Sequence, residues 1–327
     1  MPAIIASDVM RISMVICLPF WLKSATAGIT SCDAACPALQ RINTVKQVMK
    51  SLSLVAKFAK IHVTAGSFLV GFGTIALSHE LWIDTPDFQP PKNQPIAIEL
   101  RNGENLQGIN LSYFENRVVE FFYDQTGISP ANARSGDLPA MTIPPQSDGL
   151  LRAVYVSTPQ RIYYTGMDKF AAFARHKDFE WAVQTHTDNA YPTDRFGERY
   201  IRYSKALIGV GTAQGRDKTY GLDVEFTALD NPYTDDLSSG LRVVLQYENA
   251  PRANAQVEVF EKSPAGDVRV FTTRTDDKGV ATIPVKAGHK YLLDHVVLRP
   301  LPPETRSSDT DPVWESLWAA LTFQVAQ

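Results

Sequence analysis

Cysteine is missing from most of this chain. The three it has, Cys17, Cys32 and Cys36, precede residue 37, and residues 79–327 contain none. Disulfides, thiolate catalysis and cysteine-ligated zinc are thereby excluded from that long segment. A segment of that size can bury enough surface to do without covalent staples. A basic excess is also lacking: 32 Lys and Arg stand against 35 Asp and Glu, a formal net charge of -3. With a pI near 6.1 there is no electrostatic case for nucleic acid. A mean hydropathy of -0.14 argues against a multi-span membrane protein.

The common catalytic signatures are absent as well. There is no nucleophile elbow, P-loop, dinucleotide fingerprint or HExxH motif. Gly209-Val210-Gly211 is too short to cradle a phosphate, and His79-Glu80 lacks the second histidine of a zinc protease. No spacing pairs two carboxylates for acid–base work. The chain therefore reads as a non-enzyme without an organic cofactor.

What is present begins with two apolar runs, Ile12 to Leu22 and Val63 to Leu77. Lys50, Lys57 and Lys60 precede the second, and Ala76 and Ser78 fill the two small-residue positions before His79. A basic start, an apolar run and small residues at the cut make a secretory signal. Residues 49–78 are read as that signal, from Met49. Residues 1–48 are read as a non-structural leader or the product of an upstream start codon. The competing readings are an uncleaved anchor and an earlier cut after Ala27. Cleavage near Ser78-His79 sends the mature chain, without a membrane span, to the periplasm or out of the cell.

From residue 79 the pattern is mainly β with a helical segment. Ile96, Ile98 and Leu100 alternate with Ala97 and Glu99, the mark of a half-buried strand, with a turn over Arg101–Asn105. Val118–Tyr123 and Leu151–Val156 are further strands, and 126–149 reads as a loop. Residues 79–165 form an N-terminal β domain in this reading. Residues 166–215 form the helical segment, its first helix built on Phe170, Phe173 and Ala174. A second helix is expected from Asp194 to Leu207, because Phe196, Tyr200, Tyr203 and Leu207 recur on one helical face. Residues 220–327 return to short strands at regular spacing, a second sandwich-like domain of immunoglobulin or transthyretin type.

The densest charges lie in the expected second helix. Glu198 and Arg202 are four apart, and Arg199 and Lys205 flank them. They serve either as a basic lip for an anionic ligand or as a salt-bridged clamp between the β domains. His79 is the candidate metal ligand. At a free N-terminus it offers an amine and an imidazole to the same ion, and such nitrogens suit nickel, cobalt or copper. His295 sits on a strand face with Tyr291, Leu293 and Val297, where a histidine also serves as an ordinary half-buried residue. His176 and His186 are ten apart, which does not make a helical metal pair, and His289 falls in a turn.

Four segments, in order, resemble a bacterial periplasmic family of unknown function once grouped as NikM-like nickel-uptake proteins. They are His79-Glu80-Leu81-Trp82, Glu198-Arg199-Tyr200 to Lys205-Ala206-Leu207, Thr275-Asp276 to Gly279, and Trp314-Glu315-Ser316 to Leu321-Thr322-Phe323. Asn231-Pro232-Tyr233 also fits. The family is described as the periplasmic component of cobalt or nickel ABC-type transport. The resemblance implies metal binding by His79 and His295, with a membrane metal transporter as partner. The long leader and the Leu301–Thr310 insert depart from it. The expectation is an exported, non-catalytic protein that binds nickel or cobalt in support of uptake. The alternative is a metal-free envelope module that binds a protein or glycan through its sandwich.

Overall fold

The computed structural model describes residues 79–308 and 310–327. The leader and signal readings, 1–48 and 49–78, lie outside the described residues.

The period-two run at Ile96 forms a strand, but it continues through the expected turn. The reversal instead falls at Asn105-Leu106, both at positive φ. The first strands are β1 (Glu80–Asp84), β2 (Ile96–Glu104), β3 (Gln107–Leu111), β4 (Val118–Asp124), β5 (Ile128–Pro130), β6 (Met141–Ile143), β7 (Gly149–Ser157) and β8 (Gln160–Tyr164). Two short strands thus occupy the stretch read as loop. Helices α1 (Met167–His176) and α2 (Trp181–Asp188) follow.

The expected second helix is a strand. Phe196–Val210 forms β9, fifteen residues long, antiparallel to β7 and parallel to a C-terminal strand. On the strand these residues split, Phe196 and Tyr200 to the face under the helices and Tyr203 and Leu207 to the other. A spacing that fits one helical face therefore also fits a strand buried on both faces. Aromatic and β-branched residues favour the extended form, and neighbours on both sides satisfy its backbone. The remaining strands are β10 (Val224–Ala228), β11 (Leu241–Tyr247), β12 (Ala250–Pro251), β13 (Gln256–Lys262), β14 (Val268–Arg274), β15 (Val280–Ile283), β16 (Lys290–Pro300) and β17 (Pro312–Gln324).

A nine-stranded sheet, ordered β14-β13-β16-β17-β9-β7-β4-β5 with β8 beside β9, organises the described residues. One face is covered by a four-stranded sheet of β10, β11, β12 and β15. Val224, Phe226, Val243 and Leu245 pack there against Leu207, Leu293, Leu317 and Phe323. The other face carries two covers. The sheet of β1, β2, β3 and β6 sets Ile83, Ile98 and Met141 against Leu151, Ala206 and Ile208. The helices set Phe170 and Phe173 against Trp314 and Trp318. The fold is mainly β and β-sandwich-like, with the large sheet as a wall common to both pairings. β7 is buried along all nine residues because both of its faces are covered. No helix among the described residues is long and apolar enough to cross a membrane.

Candidate functional site

Strand pleating sends Glu198, Tyr200 and Arg202 to the face under the helices, and Arg199, Ile201 and Tyr203 to the opposite one. The four charges singled out in the sequence therefore separate. Arg199 donates to Glu315 of β17 at 2.6 Å, and Arg299 reaches the same carboxylate at 2.7 Å. Lys205 meets Glu225 at 2.9 Å and Asp217 at 3.1 Å, which ties the small β10–β11 sheet to the large one. Glu198 accepts the Tyr164 hydroxyl at 2.7 Å and the Ser316 hydroxyl, and burial pushes its carboxyl above the usual range. Arg202 lines a cleft.

The cleft has a volume of about 360 Å³ and lies where β1–β2, β8 and α1 meet over β9. His79 comes from just before β1, Asn102 from β2, Tyr163 from β8, Lys169 and Phe173 from α1, and Tyr200 and Arg202 from β9. An adjoining hollow of about 200 Å³ shares Asn102, Tyr200 and Arg202 with it. The Arg202 guanidinium lies 3.9 Å from the centroid of Trp318 and 5.2 Å from that of Tyr200. Its Nη2 donates to the His79 carbonyl at 2.7 Å, while Nη1 is buried without a hydrogen-bond partner among the described residues.

His79 stands at the start of this face. Its exposed ring places Nε2 3.4 Å from a Glu104 carboxylate oxygen, because the β1–β2 register sets residue 80 opposite residue 103. His295 is not beside it. Asp294 reaches toward Glu80, so the next side chain along β16, His295, points to the opposite face of the large sheet. Nδ1 of His295 faces the Gln256 carbonyl at 2.8 Å, and Nε2 accepts from Arg252 Nε at 3.4 Å. Burial lowers the ring's pKa to about 3, so it stays neutral, and neither nitrogen is free for a metal. The expected His79–His295 pair is not brought together: pleating and a sheet stand between them.

A second constellation was not visible in the sequence. Carboxylate oxygens of Glu80, Glu258 and Asp294, all buried, lie within 4.8 Å of one another. Lys177, just past the end of α1, inserts its ammonium among them, 2.6 Å from Glu258, 2.8 Å from Asp294 and 3.8 Å from Glu80. His176 adds Nε2 at 3.1 Å from Glu258. Burial, reinforced by Asp294, pushes Glu80 up to about 8. Burial also opposes ionisation of Glu258, yet His176 and Lys177 hold it down at about 2. Such a carboxylate trio has metal-site spacing, but Lys177 already serves as its cation. His186 is equally engaged: Trp314 Nε1 donates to its Nδ1 at 3.0 Å, and its Nε2 meets the Pro192 carbonyl at 2.9 Å.

The fold and site thus define a β-sandwich-like protein with an aromatic, cationic cleft. Residues 76–298 match the profile of the family described as Domain of unknown function (DUF4198), and the chain belongs to that family. No curated protein matches the chain. Among solved structures, a crystal structure of a tetra-tandem repeat in the extending region of a large adhesion protein aligns at 11% identity with a TM-score of 0.19. The alignment covers 75% of this chain and 49% of that one, so the chain spans about half the length of that structure. A TM-score that low carries no argument.

Proposed function

We propose that this chain is an exported, non-catalytic binding protein of the cell envelope that takes up a divalent transition metal ion, nickel or cobalt, as cargo for a membrane transporter. The observation that carries the reading is the His79–Glu104 juxtaposition, an imidazole nitrogen 3.4 Å from a carboxylate oxygen at an exposed position. Cleavage before His79 would free an α-amine that closes a six-membered chelate with Nδ1 of the same ring. A side-chain rotation of Glu104, beside that ring, would add an oxygen, a donor set suited to nickel, cobalt and copper. Glu104, not His295, is the partner in this reading. The basic, apolar and small-residue pattern before His79 supports export.

Titration of the purified exported protein with nickel, cobalt and copper tests the proposal. His79→Ala and Glu104→Gln are each expected to weaken binding by about tenfold or more, since loss even of an outer-shell partner costs that much. His295→Gln is expected to leave affinity unchanged. Terminal sequencing of the exported protein should read His-Glu-Leu-Trp. Undiminished affinity in the His79 and Glu104 variants refutes the site.

A further inference from the structure

Arg202 is an exception among the buried cations of the described residues. Arg152 pairs with Asp124 at 3.2 Å, Lys177 with Glu258 and Asp294, and Lys205 with Glu225 and Asp217. Arg202, 6% exposed, has no carboxylate within 4.0 Å among the described residues. Asp294, Glu80 and Glu198 act on it only from beyond that distance. A buried guanidinium with no carboxylate in contact is costly, so the arrangement points to a partner supplied from outside.

The geometry around it narrows that partner. Five N–H groups leave the guanidinium in a planar fork, and only the Nη2 bond to the His79 carbonyl is committed within hydrogen-bond distance. The Nε proton, both protons of the buried Nη1 and the second Nη2 proton remain. One proton from each Nη is the set that grips two oxygens of a carboxylate side by side. Trp318 fixes the plane of the fork from one side. Lys169, exposed on α1 and without an ion pair among the described residues, adds a second positive charge to the cleft. Glu198 is an acid of the lining, and its two oxygens are already taken by Tyr164 and Ser316. Phe173, Tyr163 and Tyr200 supply flat apolar surface for a planar body.

We infer that the cleft over β9 is a binding site for a small organic carboxylate, its carboxylate received by Arg202 and Lys169 and its body held against Tyr200, Tyr163 and Phe173. A volume of about 360 Å³ suits a ligand of small-metabolite size. The site does not rest on metal binding at His79.

Benzoate, its neutral isostere benzamide and inorganic phosphate are the probes, titrated calorimetrically into purified protein in the presence of a chelator. Benzoate is expected to bind saturably, with benzamide about tenfold weaker or worse, because a charge-assisted pair is lost. Arg202→Met is expected to remove benzoate binding. Because Arg202 is buried, Lys169→Ala and Tyr200→Ala serve as variants at less buried positions. The first should weaken benzoate severalfold and reduce its salt dependence, and the second should weaken benzoate and benzamide alike. Thermal melts check that each variant is folded. Equal affinity for benzoate and benzamide, phosphate competing as strongly as benzoate, no saturable binding by benzoate, or benzoate affinity unchanged in the folded variants would each overturn the inference. Metal titration without chelator reads the His79 proposal separately.

Discussion

Lys177 is a buried cation that gathers acids from distant parts of the chain. It holds three buried carboxylates from β1, β13 and β16 in one place. Removing one partner of a buried ion pair typically costs about 3–5 kcal/mol, so Lys177→Met should lower the unfolding free energy at neutral pH by about that much. Urea denaturation checks it. The same cluster sets a pH dependence of stability. Glu80 keeps its proton to about pH 8 when folded, against an ordinary 4.5. Between those values the folded state binds more protons than the unfolded one, so this contribution falls as pH rises from 4.5 through 8. Glu258 has the opposite sign: held at about 2, it stabilises above 4.5, and that contribution disappears as pH falls toward 2. Glu80→Gln should therefore flatten the decline in urea midpoint toward pH 8 and leave the acid limb in place. An unchanged decline would show that Glu80 is not its source.

β9 is the element on which the sequence and the structure part. Its apolar residues fit a helical face, and Glu198 and Arg202 sit at helical ion-pair spacing. Yet the chain there is extended because β7 and β17 complete its backbone hydrogen bonds. The strand then distributes function by parity: even positions 198, 200 and 202 face the cleft, and odd positions 199 and 205 join structural ion pairs. Toward the end of β9, Gly209 lies against the Asn231–Pro232–Tyr233 segment. A Cβ at Gly209 would sit 2.8 Å from Tyr233 Cγ and 2.8 Å from Ala213 Cβ, while the Tyr233 hydroxyl donates to the Leu207 carbonyl at 2.6 Å. Gly209→Ala should accordingly destabilise the protein by about 1–3 kcal/mol, the usual effect of overpacking, measured by thermal or urea unfolding. Undiminished stability would mean that the Tyr233 ring is free to withdraw.

At the scale of the whole described structure, β7, β9 and β17 supply side chains to the core on one face of the large sheet and to packing on the other. Unfolding followed by tryptophan fluorescence and by far-ultraviolet circular dichroism should therefore give one coincident transition; two resolved transitions would separate the sandwiches. Much of this β architecture was legible in the sequence. Period-two alternation at 96–100 and 241–247, and turn residues at 275–279, mark strands and a reversal that need only local sterics and burial on one side. The cysteine-free body, the charge balance and the pattern before His79 are likewise properties of the chain alone. The site was not legible in the same way. His79 and Glu104 meet through strand register, and Glu80, Glu258, Asp294 and Lys177 converge from four elements spread over 215 residues of sequence. Whether position 295 faces a metal or a carbonyl, and whether Arg202 finds a counter-ion, depends on the parity of each strand and on which sheet covers it. Local sequence sets periodicity; only packing chooses partners, because buried charges and imidazoles answer to whatever the fold carries within a few ångströms of them.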